Sequence, residues 1–383
     1  RLNFPQFKKV TVSGTNLTVE GCAPANAVVD LYEADVSTTS TSGATAGDNQ
    51  FGLSQDYGEG ETYLASFTMP ATGTACAFTT DADNNNATGM LAFNETVTVP
   101  ASFVDGDDLT ATATVAGTGT SEFSAILKGV TLAGTVFEDI NYGGGAGRDQ
   151  TTSSGVGVNG ATVELYDNTG AFVASTTTAN DGTNDGAYAF DSVVAGDYYV
   201  RVVNDTVDSP RAGSDGSELA VQTFRTDGTT AVVNEVGGRN PAVADGAVYS
   251  GASPSTLNTS TFVFSAGALD AQIAQSVTPV TVVAADINGI DFGFNYSTIV
   301  NTNDSGQGSL RQYALNNAIL DNTVLNQDLP AAIAGDYGAA DNVSIFMIPV
   351  SELTGGEAII TIDSTVEIDG DRTEIDGRTQ TLN

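Results

Sequence analysis

The sequence predicts an all-β fold that is built from more than one domain. Short runs alternate apolar and polar residues, as half-buried strands do. Stretches rich in Gly, Asn, Asp and Thr separate these runs as turns. The 383 residues exceed the usual size of one domain, and only 15% of them are charged, whereas 43 are glycine. This composition is typical of a β-protein with many turns.

The charge balance restricts the partners of the chain. Lys and Arg total 12 against 47 Asp and Glu, which gives a net charge of -35 at pH 7. A negative charge of this size opposes binding to nucleic acid and to anionic membranes, and it favours the binding of divalent cations. No apolar run reaches about 18 residues, so we expect no direct membrane insertion.

The missing residue types exclude several kinds of catalytic site. Histidine is absent and cysteine occurs only twice. Ser/His/Asp and Cys/His catalysis, His-ligated zinc and a four-cysteine metal site are therefore excluded. We expect that the chain is not an enzyme.

Residues 9–128 are predicted to form the first β-sandwich domain, and residues 1–8 an N-terminal strand or tail. Turn residues separate the candidate strands at the spacing of an all-β sandwich. These strands are KKVTVSG, NLTVEG, NAVVDLYEAD, TYLASFTM, CAFTTD, GMLAFNETVTV and LTATATVAG. The runs GETYLASFT and LTATATVAGTGTSEFSAIL resemble the bacterial immunoglobulin-like modules of large surface proteins.

The two cysteines lie within this first domain. Cys22 closes the candidate strand NLTVEG, and Cys76 opens CAFTTD. In an oxidising compartment we expect a disulfide that closes a loop of about 55 residues and contributes roughly 3–5 kcal/mol. The alternative is two buried free thiols.

Residues 129–298 are predicted to form the second β-sandwich domain. Its candidate strands are ATVELYD, FVASTTT, AYAFDSV and YYVRVV, separated by the turns DNTG, NDGTNDG and AGDY. This order, with the closing segment Asp291–Phe294, resembles the collagen-adhesin B-type repeats and more closely their serine-aspartate-repeat variant. The resemblance implies an extracellular β-sandwich spacer of surface adhesins and fibres. Residues 205–280 are predicted to be a long insertion that carries an extra hairpin or a projecting flap.

The same resemblance implies a structural calcium site in the loop EDINYGGGAGRD. Asp139 and Asn141 match the first two ligand positions of the family's loop, while Glu138 and Asp149 are further oxygen donors nearby. Asp81, Asp83 and Asn85 form a second acidic run. The alternative is that these Asp and Asn residues serve as turn formers.

Residues 299–383 are predicted to begin a right-handed parallel β-helix. The run SLRQYALNNAILD predicts a helix, and Ser309 is its N-cap. Its predicted apolar face consists of Leu310, Ala314, Leu315, Ala318 and Ile319. Short β runs follow as VSIFMIP, AIITID, TVEIDG and TEIDG. NTNDSGQGSLRQ, FMIP and IDGRTQT resemble the opening of β-helices in large bacterial surface proteins, where a helix caps the first coil.

The N-terminal segment is the candidate assembly element. It carries a quarter of all positive charges and alternates apolar residues. We expect it to add a strand to a sheet edge, or to the open β-helix end, of a neighbouring copy and to give a head-to-tail filament. The residues involved are Arg1, Leu2, Phe4, Phe7, Lys8 and Lys9. The alternative is a frayed terminus.

The sequence therefore predicts a secreted bacterial surface protein: two tandem β-sandwich domains, immunoglobulin-like and B-type, then the capped beginning of a right-handed parallel β-helix. Because the chain starts at Arg1 rather than Met, we expect a processed product or a fragment, with any signal peptide already removed. The predicted function is a self-assembling component of an extracellular fibre or surface layer, with structural calcium. The alternative is the stalk of a monomeric cell-surface adhesin that binds glycans or other surface proteins.

Overall fold

A computed structural model describes most of the chain. The described residues are 2–35, 59–76, 89–104, 106–124, 126–127, 130–168, 170, 172–194, 196–246, 248, 274–283 and 285–381. They divide into two units. The first is Arg1–Thr131 with Asp191–Ala195 and Val282–Asp286, and the second contains Leu132–Phe190, Gly196–Thr281 and Ile287–Asn383.

The strands of the first unit confirm the prediction from alternation. They are β1 (Gln6–Ser13), β2 (Asn16–Pro24), β3 (Val28–Asp35), β4 (Glu59–Thr68), β5 (Met90–Thr98), β6 (Leu109–Val115) and β7 (Gly119–Thr120). Two sheets result, with strand orders β1-β2-β5 and β4-β3-β6-β7. Leu17 and Val19 in β2, and Val29 and Leu31 in β3, are completely buried in one core cluster. They are two positions apart in each strand, as expected for side chains on one face of a sheet. Most of the predicted strand CAFTTD lies outside the described residues.

The predicted disulfide is present in the first unit. Cys22 at the end of β2 is bonded to Cys76. The described residues contain no free cysteine, so the alternative of two buried thiols is wrong.

The N-terminal segment belongs to the first unit's own core, and the predicted boundary after residue 8 falls inside β1. Phe4 is buried, and Leu2 and Phe7 pack against the same core cluster. The ring of Phe7 meets that of Phe93 edge-on, with centroids 6.1 Å apart. The interpretation as a frayed terminus is therefore wrong for these residues, because burial of their apolar side chains holds them on the sheet.

The remaining strands lie wholly or mostly in the second unit. They are β8 (Val130–Glu138), β9 (Val156–Gly157), β10 (Thr162–Asp167), β11 (Phe172–Thr177), β12 (Ala187–Val193), β13 (Gly196–Val202), β14 (Val221–Thr226), β15 (Ala231–Val232), β16 (Ser276–Val282), β17 (Phe292–Asn295), β18 (Thr298–Ile299), β19 (Asn342–Val343), β20 (Ile345–Phe346) and β21 (Thr373–Glu374). One sheet has the order β11-β10-β13-β16. The other has the order β12-β8-β17-β14-β15, with β9 beside β8. The four strands predicted between residues 161 and 203 are confirmed.

The predicted insertion is in part a central strand. Every residue of β14 is buried, and β14 pairs antiparallel with β17 and with β15. Residues 221–226 therefore belong to the sandwich and, with β15, form the predicted extra hairpin, not a projecting flap. Residues 247 and 249–273 of the predicted insertion lie outside the described residues.

The predicted C-terminal helix is present as α1 (Leu310–Ile319). The side chain of Ser309 accepts a hydrogen bond from the backbone N–H of Gln312, which confirms the N-cap. The predicted apolar face is wrong, because Leu315 is 55% exposed whereas Asn316 is buried. The side-chain amide of Asn316 donates to the backbone oxygens of Leu219 and Tyr296. This face of the helix thus satisfies loop carbonyls that water cannot reach.

Two short parallel ladders join strands on either side of the helix or after it in the chain. β18 pairs with β20, and β19 with β21. Residues 357–370, which include the predicted strands AIITID and TVEIDG, contain no strand and are mostly exposed, so those two strand predictions are wrong. The parallel β-helix itself stays a prediction. Across the described residues, no helix has the length and apolar character needed to cross a membrane.

Candidate functional site

The end of β8 and the turn that follows it carry the carboxylates predicted to bind calcium. β8 runs parallel to β17, so its last residue, Glu138, lies opposite Phe294. The backbone N–H of Asp139 donates to the oxygen of Phe294 at 2.7 Å, and the Asn295 side chain donates to the oxygen of Asp139 at 2.9 Å. These bonds fix Glu138 and Asp139 in the interior, where neither is exposed.

Glu138 is paired with a buried arginine. Arg211 Nε lies 2.9 Å from Glu138 Oε1, and the Ser209 hydroxyl donates to Glu138 Oε2 at 2.6 Å. The guanidinium carbon of Arg211 lies 5.8 Å from the centre of the Tyr296 ring, within range of a cation–π interaction. Burial raises the pKa of Glu138, while Arg211 and the Ser209 hydrogen bond act in the opposite direction. The cluster is an internal ion pair with one neutral donor.

Arg211 also reaches the segment after α1. Its Nη1 donates to the side-chain oxygen of Asn322 at 3.3 Å and to the backbone oxygen of Asp321 at 3.5 Å. The backbone N–H of Asp321 donates to the oxygen of Ala212 at 2.8 Å. The arginine therefore links the end of β8 to residues 321–322.

Asp139 is paired with a second arginine in the same way. Arg148 Nη2 lies 3.2 Å from Asp139 Oδ1, and Arg148 Nη1 lies 3.2 Å from Asp328 Oδ2. Burial raises the pKa of Asp139 to about 7, although Arg148 lowers it. Arg148 is thus a bridge between a buried and an exposed carboxylate.

The glycine-rich run between the two charged ends allows close backbone approach. A side chain at Gly143 would place its Cβ 2.0 Å from the backbone oxygen of Asp328, and one at Gly147 would lie 1.9 Å from that of Thr223. Only glycine fits at such distances. The run GGGAG therefore lets the turn fold against two neighbouring segments.

The calcium ligands predicted here are not assembled around one point. Asp149 instead accepts hydrogen bonds from the backbone N–H and the hydroxyl of Thr152, at 2.9 and 2.7 Å. No group of three or more acidic, cysteine or histidine side chains in the described ranges could hold a metal ion. Asp81, Asp83 and Asn85 lie outside the described residues. Calcium binding by the chain stays a prediction, for that second run in particular.

A second buried charge cluster was not predicted from the sequence. Arg201 Nη1 lies 2.8 Å from Glu164 Oε2, and Arg201 Nη2 lies 2.9 Å from Asp245 Oδ2. The Tyr166 hydroxyl donates to the same Glu164 oxygen at 2.6 Å. The available signal was a charged residue between two apolar neighbours in each of two strands, at Glu164 in TVELYD and at Arg201 in GDYYVRV.

The predicted assembly residues do not form a free tail. Leu2, Phe4 and Phe7 pack in the first unit, and Lys9 lies in β1 opposite Glu20. Arg1 and the side chain of Lys8 lie outside the described part of the chain. Assembly through this segment stays a prediction.

Comparison with solved structures finds pilus proteins among the matches. The major pilin subunit of Bacillus cereus, in two structures, is 12% identical over 61% of this chain, with TM-scores of 0.15 and 0.16. This chain spans 64% and 63% of those two chains. The pilus 2b backbone protein of group B streptococcus is 12% identical over 77% of this chain and 98% of its own, with a TM-score of 0.21. Scores this low establish no shared overall arrangement.

Comparison with sequences gives one domain match. No curated protein sequence is significantly similar to the chain. Residues 130–247 match the family model of the SdrD B-like domain. The matched stretch begins with β8 and ends after β15, so it holds both charge clusters and most of the two second-unit sheets. This part of the chain is therefore similar to the SdrD B-like domain.

Proposed function

We propose that the chain is a structural component of an extracellular fibre or surface layer and assembles with copies of itself. The match of residues 130–247 to the SdrD B-like domain carries this proposal. It agrees with the resemblance seen in the sequence, which implies extracellular β-sandwich spacers. The cell surface or the extracellular space is accordingly the proposed location.

The pairing of arginines with carboxylates in the second unit supports a structural role for the chain. Arg148, Arg201, Arg211, Arg225 and Arg311 each pair with a carboxylate, and their side chains are at most 22% exposed. These cations brace the interior of the second unit, where burying them unpaired would be costly. Arginines that are engaged in such ion pairs contribute to the stability of the fold.

The same pairing leaves an acidic exterior. The net charge is -35, and much of the positive charge is internal. Copies of such a chain repel one another at low ionic strength, and salt screens that repulsion beyond about 10 Å at 0.1 M. Assembly is therefore expected to need salt or divalent cations.

The proposed contact between copies joins an edge strand to an apolar surface. β1 is an edge of its sheet, and edge strands present unpaired backbone groups. The C-terminal segment of the next copy would pair its backbone with this edge as an added strand and would bury its exposed isoleucines. They are Ile359, Ile362, Ile368 and Ile375. A head-to-tail contact of this type propagates as a filament when it does not close.

A monomeric adhesin stalk that binds glycans or surface proteins is the second candidate. It is favoured by an aromatic cluster in the first unit, where Tyr32 meets the rings of Tyr63 and Phe123 edge-on at 5.8 and 5.5 Å. Tyr63 is 54% exposed. An exposed aromatic face with a hydroxyl at its rim is common in binding surfaces.

Sedimentation velocity of the purified chain distinguishes the two candidates. We expect species larger than one chain to appear as protein concentration and ionic strength rise. Ile362→Asn should weaken this association, whereas the control Val283→Asn should not. Val283 is also an apolar residue and is 70% exposed, but it lies outside the C-terminal segment proposed to make the contact. Sedimentation as a single chain under all conditions would contradict assembly and favour the adhesin.

A further inference from the structure

We propose that Arg148 and Arg211 take the place of the calcium ion expected at the turn after β8. The turn carries the carboxylates that the family resemblance assigns to calcium, yet each has a guanidinium partner. Glu138 is paired with Arg211 and Asp139 with Arg148. On this proposal the turn is held without metal, and the inference does not depend on the proposed function of the chain.

The charge at the turn is already compensated. Two buried carboxylates face two guanidinium groups, so a dication between them would meet two positive charges at short range. Arg211 Nη2 is buried and has no hydrogen-bond partner among the residues that the structure describes. Glu138 Oε1 also makes no hydrogen bond there, but it faces Arg211 Nε at 2.9 Å, so the positive charge beside it is that of a guanidinium.

The oxygen atoms that calcium needs are mostly engaged. Calcium takes about six to eight oxygens at roughly 2.3–2.6 Å. The backbone oxygen of Asp139 accepts from Asn295, that of Asn141 accepts from the backbone N–H of Asp328, and both carboxylate oxygens of Asp149 accept from Thr152. Among the described residues, Asp139 Oδ2 and Glu138 Oε1 are buried without a hydrogen bond, but two oxygens do not make a calcium site.

The arginines make connections that a local ion would not make. A calcium ion in the loop would join residues between 138 and 149. Arg148 instead connects Asp139 with Asp328, which is 180 residues along the chain from the arginine. Arg211 connects Glu138 with Asn322, which is 111 residues from the arginine. The two side chains thus brace the domain that matches the family against the segment after α1.

Calcium titration of the wild type and two neutral variants tests the proposal. Isothermal calorimetry counts the calcium ions bound per chain in the wild type, in Asp139→Asn and in Asp149→Asn. We expect the same number in all three, whatever the acidic run at residues 81–85 binds. A loss of one ion per chain in either variant would overturn the proposal. Asp149 is an exposed residue, so its variant keeps the test valid even if Asp139→Asn does not fold.

Thermal unfolding tests the bracing role of the arginines. Arg148→Gln and Arg211→Gln should each lower the Tm of the second unit. The matched control is Arg372→Gln, because Arg372 is half-exposed and lies 3.6 Å from Asp341. Its Tm should stay close to that of the wild type. Equal Tm values for all three variants would contradict the proposal, since the buried arginines would then contribute no more than a surface pair.

Discussion

Arg201 and Glu164 form a fully buried ion pair across two neighbouring strands. Arg201 Nη1 lies 2.8 Å from Glu164 Oε2, and neither side chain is exposed. The two residues are directly opposed in the antiparallel register of β10 and β13. Asp245 approaches the other end of the guanidinium at 2.9 Å. The register of the sheet, rather than proximity in sequence, brings these charges together.

Breaking this pair is expected to destabilise the second unit strongly. Arg201→Met strands the carboxylates of Glu164 and Asp245 in the interior, and we expect a loss of about 3–5 kcal/mol in the free energy of unfolding. Urea unfolding measures it.

The double variant Glu164→Gln with Arg201→Met supplies the control for this prediction. It should lose less than the sum of the two single losses, because the second substitution removes a charge that the first leaves uncompensated. Strictly additive losses would show that the two groups do not interact.

Reduction of the disulfide is expected to destabilise the first unit. The bond between Cys22 and Cys76 spans 54 positions, and the chain-entropy relation gives about 4 kcal/mol for a loop of that size. Cys22→Ser with Cys76→Ser should therefore lower the Tm of the first unit and leave the second unit unchanged. An unchanged calorimetric profile would contradict the prediction.

Truncation of the Phe4 side chain tests whether the N-terminal segment packs in the core of the first unit. Phe4 is 8% exposed, so Phe4→Ala should cost roughly 3 kcal/mol of unfolding free energy. Thr11→Ala, at an exposed position of β1, serves as the comparison. If neither substitution changes the urea midpoint, the segment does not contribute to the core.

Alkaline titration tests the burial of the tyrosines. Burial raises the pKa of Tyr198 to about 12, and it also raises the pKa of Tyr142, Tyr188 and Tyr296 above the ordinary tyrosine value. A raised pKa contributes stability that is present below about pH 10, the unfolded value, and is lost as the pH rises through the folded value. We expect tyrosinate absorbance to appear in two stages, the second coinciding with unfolding. Ionisation of all twelve tyrosines near pH 10 in the folded chain would contradict this.

Local patterns in the sequence predict the strands well but not their partners. Alternation predicts β10 to β13, and a serine at the right position predicts the start of α1. The pairing of Glu138 with Arg211 depends on tertiary contacts between segments far apart in the chain, and a motif of short spacing carries no information about it.

Patterns also fail where a polar environment replaces the expected apolar one. The period of 3.6 places Leu315 on an apolar face of α1, but the neighbouring loops present backbone carbonyls, so Asn316 is buried and Leu315 is exposed. Conversely, β14 lies in a stretch rich in Ser, Gly and Asp, and only the sheet register reveals it as a central strand.

Electron microscopy of the native material tests the central claim most directly. If the chain is a structural subunit that assembles with copies of itself, the images should show filaments or a lattice with a regular axial repeat. Density for both units should recur once per repeat. Separate, unconnected rods at every ionic strength would contradict the claim and would favour the monomeric adhesin.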